Sequence, residues 1–124
     1  MSAASKSGEP MFLFTYGRWA ATTAVYPESE RLVYPILGLL SEAGEVADVT
    51  KRALRDGSGV ASLMPGGDEA RRAALAEELG DVLWYVAAIA RDAGFDLDEI
   101  AQVNLAKLRH RERNGTIRAR GASC

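Results

Sequence analysis

A chain of 124 residues with 48% hydrophobic content is most simply one domain, large enough to bury a core without disulfide or zinc staples. With 15 Lys plus Arg against 17 Asp plus Glu, the formal charge is -2, which removes any general case for nucleic acid or an anionic membrane as partner. The lone Cys124 excludes an internal disulfide, no apolar run approaches the roughly 20 residues of a membrane span, and Met11 to Phe14 is too short for a signal peptide, so a cytoplasmic protein is expected.

Residues 1–12 are expected to form a disordered N-terminal segment, followed by one domain over 13–115 and an arm or tail over 116–124. The first helix is expected over Tyr16 to Val25, with Thr15 as N-cap and Tyr26-Pro27 as stop. Pro35 suits the first turn of a second helix, expected over Ile36 to Arg55 and ended by Asp56-Gly57. Its main buried face is read as Ile36, Leu39, Leu40, Ala43, Val46, Ala47, Thr50 and Leu54. Glu42 and Glu45 stand on a second side with Gly38, Val49 and Ala53, too small and apolar for pure solvent exposure, which leaves room for this helix to be covered on both sides. Residues 57–67 read as a mobile loop, after which Asp68 caps a third helix reaching Ala93, with Gly94 as its stop. Asp96 and Glu99 resemble a capping box opening a fourth helix, Leu97 to Arg113, that ends at Asn114-Gly115. No segment alternates with period two, so the fold class is all-α with four main helices.

The third helix carries the unusual charges. Leu75, Leu79, Val82, Val86, Ile89 and Ala93 form an apolar stripe, and Glu78 and Asp81 lie along its edge instead of opposite it. Glu78, Asp81 and Tyr85 stand at i, i+3 and i+7 on one face. A carboxylate beside a buried face needs a hydrogen bond, an opposite charge or a cation. The pattern recurs at an offset of 36 residues, where Leu39-Leu40-Ser41-Glu42-Ala43-Gly44-Glu45-Val46 overlays Leu75-Ala76-Glu77-Glu78-Leu79-Gly80-Asp81-Val82. The matched Gly44 and Gly80, each unfavourable in a helix, suggest close backbone approach, with four carboxylates aimed into one space. None of Glu42, Glu45, Glu78 and Asp81 has a base three or four residues away, unlike Asp48 with Lys51 and Arg52.

Two pairs of acids suit a hard divalent cation such as Mg²⁺, which takes oxygen ligands and keeps positions open for water and phosphate. Zinc favours His and Cys, of which the chain has only His110 and Cys124, and a ferritin-like di-iron site needs two Glu-x-x-His motifs. The fourth helix offers a complement in Asn104, Lys107 and Arg111, again at i, i+3 and i+7, an amide and two phosphate-binding bases on one face. Trp84 lies opposite the apolar stripe, which leaves a subunit interface or partial exposure as its place. His110 reads as a surface residue.

Glu42-x-x-Glu45, then Glu78-x-x-Asp81, then Asn104-x-x-Lys107-x-x-x-Arg111, with the order kept from Tyr34-Pro35 through Gly115, resembles the MazG-like members of the all-α nucleoside triphosphate pyrophosphohydrolase superfamily. The resemblance implies a four-helix domain assembling as a helical-bundle homodimer or homotetramer. It implies a Mg²⁺-dependent enzyme, with Mn²⁺ as the alternative ion, that splits a nucleoside triphosphate between the α and β phosphates. Glu42, Glu45, Glu78 and Asp81 would then be the metal ligands and Glu77 a helper acid or base. Lys107 and Arg111 would bind phosphates, Asn104 the nucleoside, and Tyr85 would line the pocket. The competing readings are a phosphoribosyl-ATP pyrophosphohydrolase and a non-catalytic oligomeric helical binding module.

Overall fold

The computed structural model describes residues 11–116. The chain order is α1 (Leu13–Ala21), α2 (Val33–Arg55), α3 (Glu69–Ala93) and α4 (Leu97–Arg113), with single 3₁₀ turns at Glu28–Glu30 and Val60–Leu63. No strand occurs among the described residues, as the helical periodicity of the sequence predicts. Most of the expected N-terminal segment and C-terminal arm lies outside the described residues.

The boundaries of α3 follow from local chemistry. Asp68 Oδ1 accepts a hydrogen bond from the Arg71 N–H at 2.9 Å, satisfying one of the donors a helix start leaves free. At the other end Gly94 takes a left-handed φ of 79°, and the Phe95 N–H returns to the Ala90 carbonyl at 2.8 Å. The α4 boundaries match the sequence reading too, but the capping box is absent, since Asp96 makes no side-chain cap. Asp98 and Glu99 in its first turn still favour the positive end of the helix.

The first helix runs earlier than its sequence suggests. Phe12 occupies the N-cap position without a side-chain bond, and Thr15 lies inside the helix. Its end comes at Ala21 because the Thr22 and Thr23 hydroxyls each donate, at 2.7 Å, to the Trp19 and Ala20 carbonyls. Those carbonyls are the acceptors that another helical turn would have used.

The long pair α2 and α3 forms an antiparallel hairpin and makes the most extensive contact of the fold. Its connection is tied down and is not a free loop. The Asp68 N–H reaches the Ser62 carbonyl at 2.8 Å, Arg72 donates to the Leu63 carbonyl at 2.7 Å, and Arg71 pairs with Asp56. Gly67 lies so close to the Ser62 carbonyl that a side chain would collide with it.

Which side of α2 packs is the main departure from the sequence reading. Ala53 is fully buried, Pro35 is buried in the first turn, and Gly38 takes the Tyr85 ring of α3 against its Cα. Most of the expected buried face is open: Leu40 is 67% exposed and Leu54 64%, with Ile36, Ala43 and Ala47 also exposed, while Leu39, Val46 and Thr50 are half-buried. Small residues let the hairpin close, whereas the bulky face would hold the helices apart. Gly44 and Gly80 are not points of close approach, since a Cβ on either would meet nothing within 4 Å.

A compact apolar cluster of Ala20, Ala87, Ala90 and Leu97 joins α1, α3 and the start of α4, with Tyr16, Trp84 and Val86 packed around it. After Leu97, α4 runs out with every residue from Glu99 onward exposed, including Ile100, Val103, Leu105 and Leu108. On the hairpin Ile36, Leu37, Leu40, Leu79 and Leu83 are likewise exposed. Apolar area of this extent is characteristic of a surface that meets another protein.

Candidate metal and substrate site

Glu42 on α2 faces Glu78 and Asp81 on α3, and one carboxylate oxygen from each lies within 4.8 Å of the others. Glu42 and Glu78 are half-buried, while Asp81 is exposed. Among the described residues no Lys or Arg forms an ion pair with any of the three. The bases near them in sequence are committed elsewhere: Lys51 and Arg52 hold Asp48 at 3.0 and 2.7 Å, and Arg71 holds Asp56. Lys51 is the main reason the Asp48 carboxyl titrates below the ordinary range.

The opposite holds at Glu78. Partial burial pushes its pKa up, and the charges of Glu42, Asp81, Glu45 and Glu77 push it further the same way. Glu45 and Glu77 are exposed and add to this field, but neither contributes an oxygen to the three-carboxylate group. An arrangement of like charges with no base is the donor set a hard divalent cation would neutralise.

Beside the acids opens a cavity of about 320 Å³ lined by Glu42, Asp81, Trp84 and Tyr85. The two aromatic rings meet edge to face, with centroids 4.9 Å apart and planes at 83°. Tyr85 also packs obliquely on Tyr34, centroids 6.5 Å apart. Burial raises the Tyr85 pKa, and Tyr34, Glu42 and Asp81 add to the shift, so its hydroxyl remains protonated at neutral pH and able to donate. Of the two places the stripe geometry leaves for Trp84, the structure shows partial exposure, with the ring held by its own chain. Its Nε1 donates to Thr23 Oγ1 at 2.7 Å and its ring packs on the α1 cluster. Tyr16 of α1 also borders the site: burial raises its pKa, and the Asp81 charge adds to this.

Asn104, Lys107 and Arg111 do not line this cavity. All three are exposed on α4, which packs within the chain through its first turn, mainly against α1. The sequence places Gly38 on the side of α2 that carries Glu42, but it does not single out Tyr34 and Tyr16 as neighbours of the acids. Gly38 carried a usable signal, lying four residues before Glu42 on the same helical face, where a glycine leaves room for a ring from across the hairpin.

An all-helical hairpin with a cleft of unpaired carboxylates between its arms defines the class of protein. Residues 34–116 match the model of the MazG nucleotide pyrophosphohydrolase domain, and the chain belongs to that family. It is also 40% identical over 108 residues to the Gene 37 protein of Mycobacterium phage L5, covering 82% of this chain and 90% of that one. That relative's name states no activity. No solved structure matches the chain. The match to the family begins at Tyr34, so α1 and the strap between α1 and α2 lie outside it.

Proposed function

We propose that this chain is a Mg²⁺-dependent nucleoside triphosphate pyrophosphohydrolase, cleaving between the α and β phosphates to release a nucleoside monophosphate and pyrophosphate. The observation that carries the reading is the convergence of Glu42, Glu78 and Asp81 without a basic partner, inside the region that matches the family. These three would hold the cation, with Glu45 drawn in as a fourth oxygen donor and Glu77 as an outer acid or helper base. When bound, the ion would neutralise the triphosphate and make a coordinated water nucleophilic at neutral pH. Mn²⁺ has the same ligand preference and would substitute.

The protein's own part is positioning and electrostatics. Glu42 and Glu78 come from facing helices, so the site's geometry is set by how α2 and α3 pack. Tyr85 and Trp84 give the cavity an apolar corner against which the nucleoside end of the substrate would rest, leaving the phosphates at the carboxylate edge. Asn104, Lys107 and Arg111 would contact nucleoside and phosphates from α4 of a second copy in a homodimer or homotetramer. The exposed leucines of α2 and α3 and the bare apolar residues of α4 supply the contact such an assembly requires.

Pyrophosphate release is measured across canonical and modified nucleoside triphosphates and phosphoribosyl-ATP, with Mg²⁺ and with chelator. The reading expects Mg²⁺-dependent release of pyrophosphate from at least one nucleoside triphosphate. Release that persists in chelator, or turnover of phosphoribosyl-ATP alone, rejects it.

A further inference from the structure

Asp92 lies on the same stripe of α3 as Glu78 and Tyr85, each seven residues after the last. Its side chain is only 1% exposed, and each of its oxygens is used. Oδ2 accepts from the Tyr26 hydroxyl at 2.8 Å and from the Leu32 N–H at 3.0 Å. Oδ1 faces Arg31 at 3.6 Å and Arg91 at 3.7 Å. The acid thereby pins the strap between α1 and α2 at its middle, through Tyr26, and at its α2 end, through Arg31 and Leu32. Leu32, at the start of α2, has a φ of 64°, a conformation an L-residue keeps only when its surroundings impose it.

From this anchor a row of rings leads back toward the carboxylates. Tyr26 stacks on Tyr34, centroids 5.1 Å apart and planes at 24°, and Tyr34 leans on Tyr85. Tyr85 fills the notch at Gly38, one helical turn before Glu42, and lines the acid cavity. Tyr85 sits between α2 and α3 at Gly38, and Tyr34 and Tyr26 back it from the start of α2 and the strap, so the seating of the row bears on how far apart the two helices carry their acids.

We propose that Asp92 is a positioning residue for the acid site, acting through Tyr26, Tyr34 and Tyr85 to set the separation at which Glu42 meets Glu78 and Asp81. The inference rests on the functional reading above. It goes further in assigning a role to a strap outside the family match and to a carboxylate that touches no substrate.

The test reads Mn²⁺ affinity directly, by calorimetric or paramagnetic titration of the full chain well below its melting temperature. Asp92→Asn removes the charge and turns one acceptor into a donor, so the strap loses a partner on one side. Its dissociation constant for Mn²⁺ should rise on the order of 10-fold, the scale on which the loss of an orienting partner weakens a metal site. Tyr26→Phe, which deletes a single hydroxyl, should shift it the same way by less, and it keeps the test open should Asp92→Asn fail to fold. Gly38→Ala, which displaces Tyr85 from the other end of the row, should weaken binding at unchanged helicity. Asp68→Ala, a lost helix cap remote from the row, should lower the melting temperature without changing Mn²⁺ affinity. Unchanged affinity in Asp92→Asn and Tyr26→Phe, or equal weakening in Asp68→Ala, overturns the proposal. Absence of Mn²⁺ binding by the unaltered protein overturns instead the functional reading on which it rests.

Discussion

Neutralising Glu78 should have opposite effects on stability with and without a divalent cation. In the free protein Glu78 is crowded by Glu42 and Asp81 within 4.8 Å and feels Glu45 and Glu77 as well, so Glu78→Gln relieves repulsion at no cost in volume. Without metal, the variant should melt at or above the temperature of the unaltered protein. With Mg²⁺ the order reverses. A ligand at about 100 times its dissociation constant stabilises the folded state by ~2.7 kcal/mol. At an unfolding entropy of roughly 2.1 cal/mol/K per residue, 124 residues convert that into a rise of about 10 °C. If the lost carboxylate weakens binding about 100-fold, the same Mg²⁺ concentration stabilises by only ~0.4 kcal/mol, a rise of about 2 °C.

The assay is thermal unfolding at fixed protein concentration, in chelator and in Mg²⁺, with pyrophosphate release followed in parallel. Asp48→Asn is the control, because that acid is already held by Lys51 and Arg52 and should leave the Mg²⁺ shift intact. Equal Mg²⁺ shifts in Glu78→Gln and the unaltered protein would refute a cation bound among these carboxylates. A variant markedly less stable than the unaltered protein in chelator would refute the crowding.

Three other outcomes follow from the same geometry. The raised pKa of Glu78 means that, metal-free, the folded state binds its proton more tightly than the unfolded state; stability from this group falls as pH rises through the window between the two values, and stabilisation by Mg²⁺, which needs the carboxylate ionised, is lost as pH falls through the same window. Melting curves from about pH 4 to 8, with and without Mg²⁺, should therefore diverge with rising pH, and parallel curves would contradict the assignment. Leu40 is 67% exposed, and covering a leucine contributes roughly 1.5–3 kcal/mol, so Leu40→Glu should shift the protein toward smaller species in sedimentation, whereas an unaltered mass would remove this face from the contact. If α4 serves a neighbouring copy's site, Lys107→Ala and Glu78→Gln chains, each impaired alone, should recover activity when refolded together, and no recovery would mean that both groups act within one chain.

Asp92 supplies a second, opposite pH dependence that helps to separate site from scaffold. Burial alone pushes its pKa up, but the Leu32 N–H, the Tyr26 hydroxyl and the Arg91 and Arg31 charges outweigh that and leave it depressed. Its contribution is therefore fully present above the ordinary carboxylate range and is lost as pH falls through the depressed value. Acid unfolding should track the strap, while Mg²⁺ dependence should track Glu78.

How much of this was legible in the sequence depends on the range of the interaction that decides each feature. The ends of α3 were readable because Asp68 and Gly94 act within four residues of where they stand. The end of α1 was not, because two threonine hydroxyls turned back on their own carbonyls, a choice that propensity does not reveal. The acids were readable from a gap in the pattern, the want of any base at helical spacing, and the hairpin brings Glu42, Glu78 and Asp81 together. Glu45 follows the same spacing but stays out of the group. Spacing along one helix does not fix where a facing helix crosses it.

The buried face of α2 was misread for a physical reason that also bears on the assembly. Hydrophobic periodicity reports which face is apolar; it does not say whether that face is covered by the same chain or by another. Within the chain, closeness favours the side with Gly38 and Ala53, because a helix pair approaches most closely where side chains are small, and that close side is where Glu42 meets Glu78 and Asp81. Ile36, Leu37 and Leu40 are thereby turned outward together with Leu79 and Leu83 of α3. The geometry that builds the acid cleft thus also turns out the leucine surface through which a second copy would be recruited.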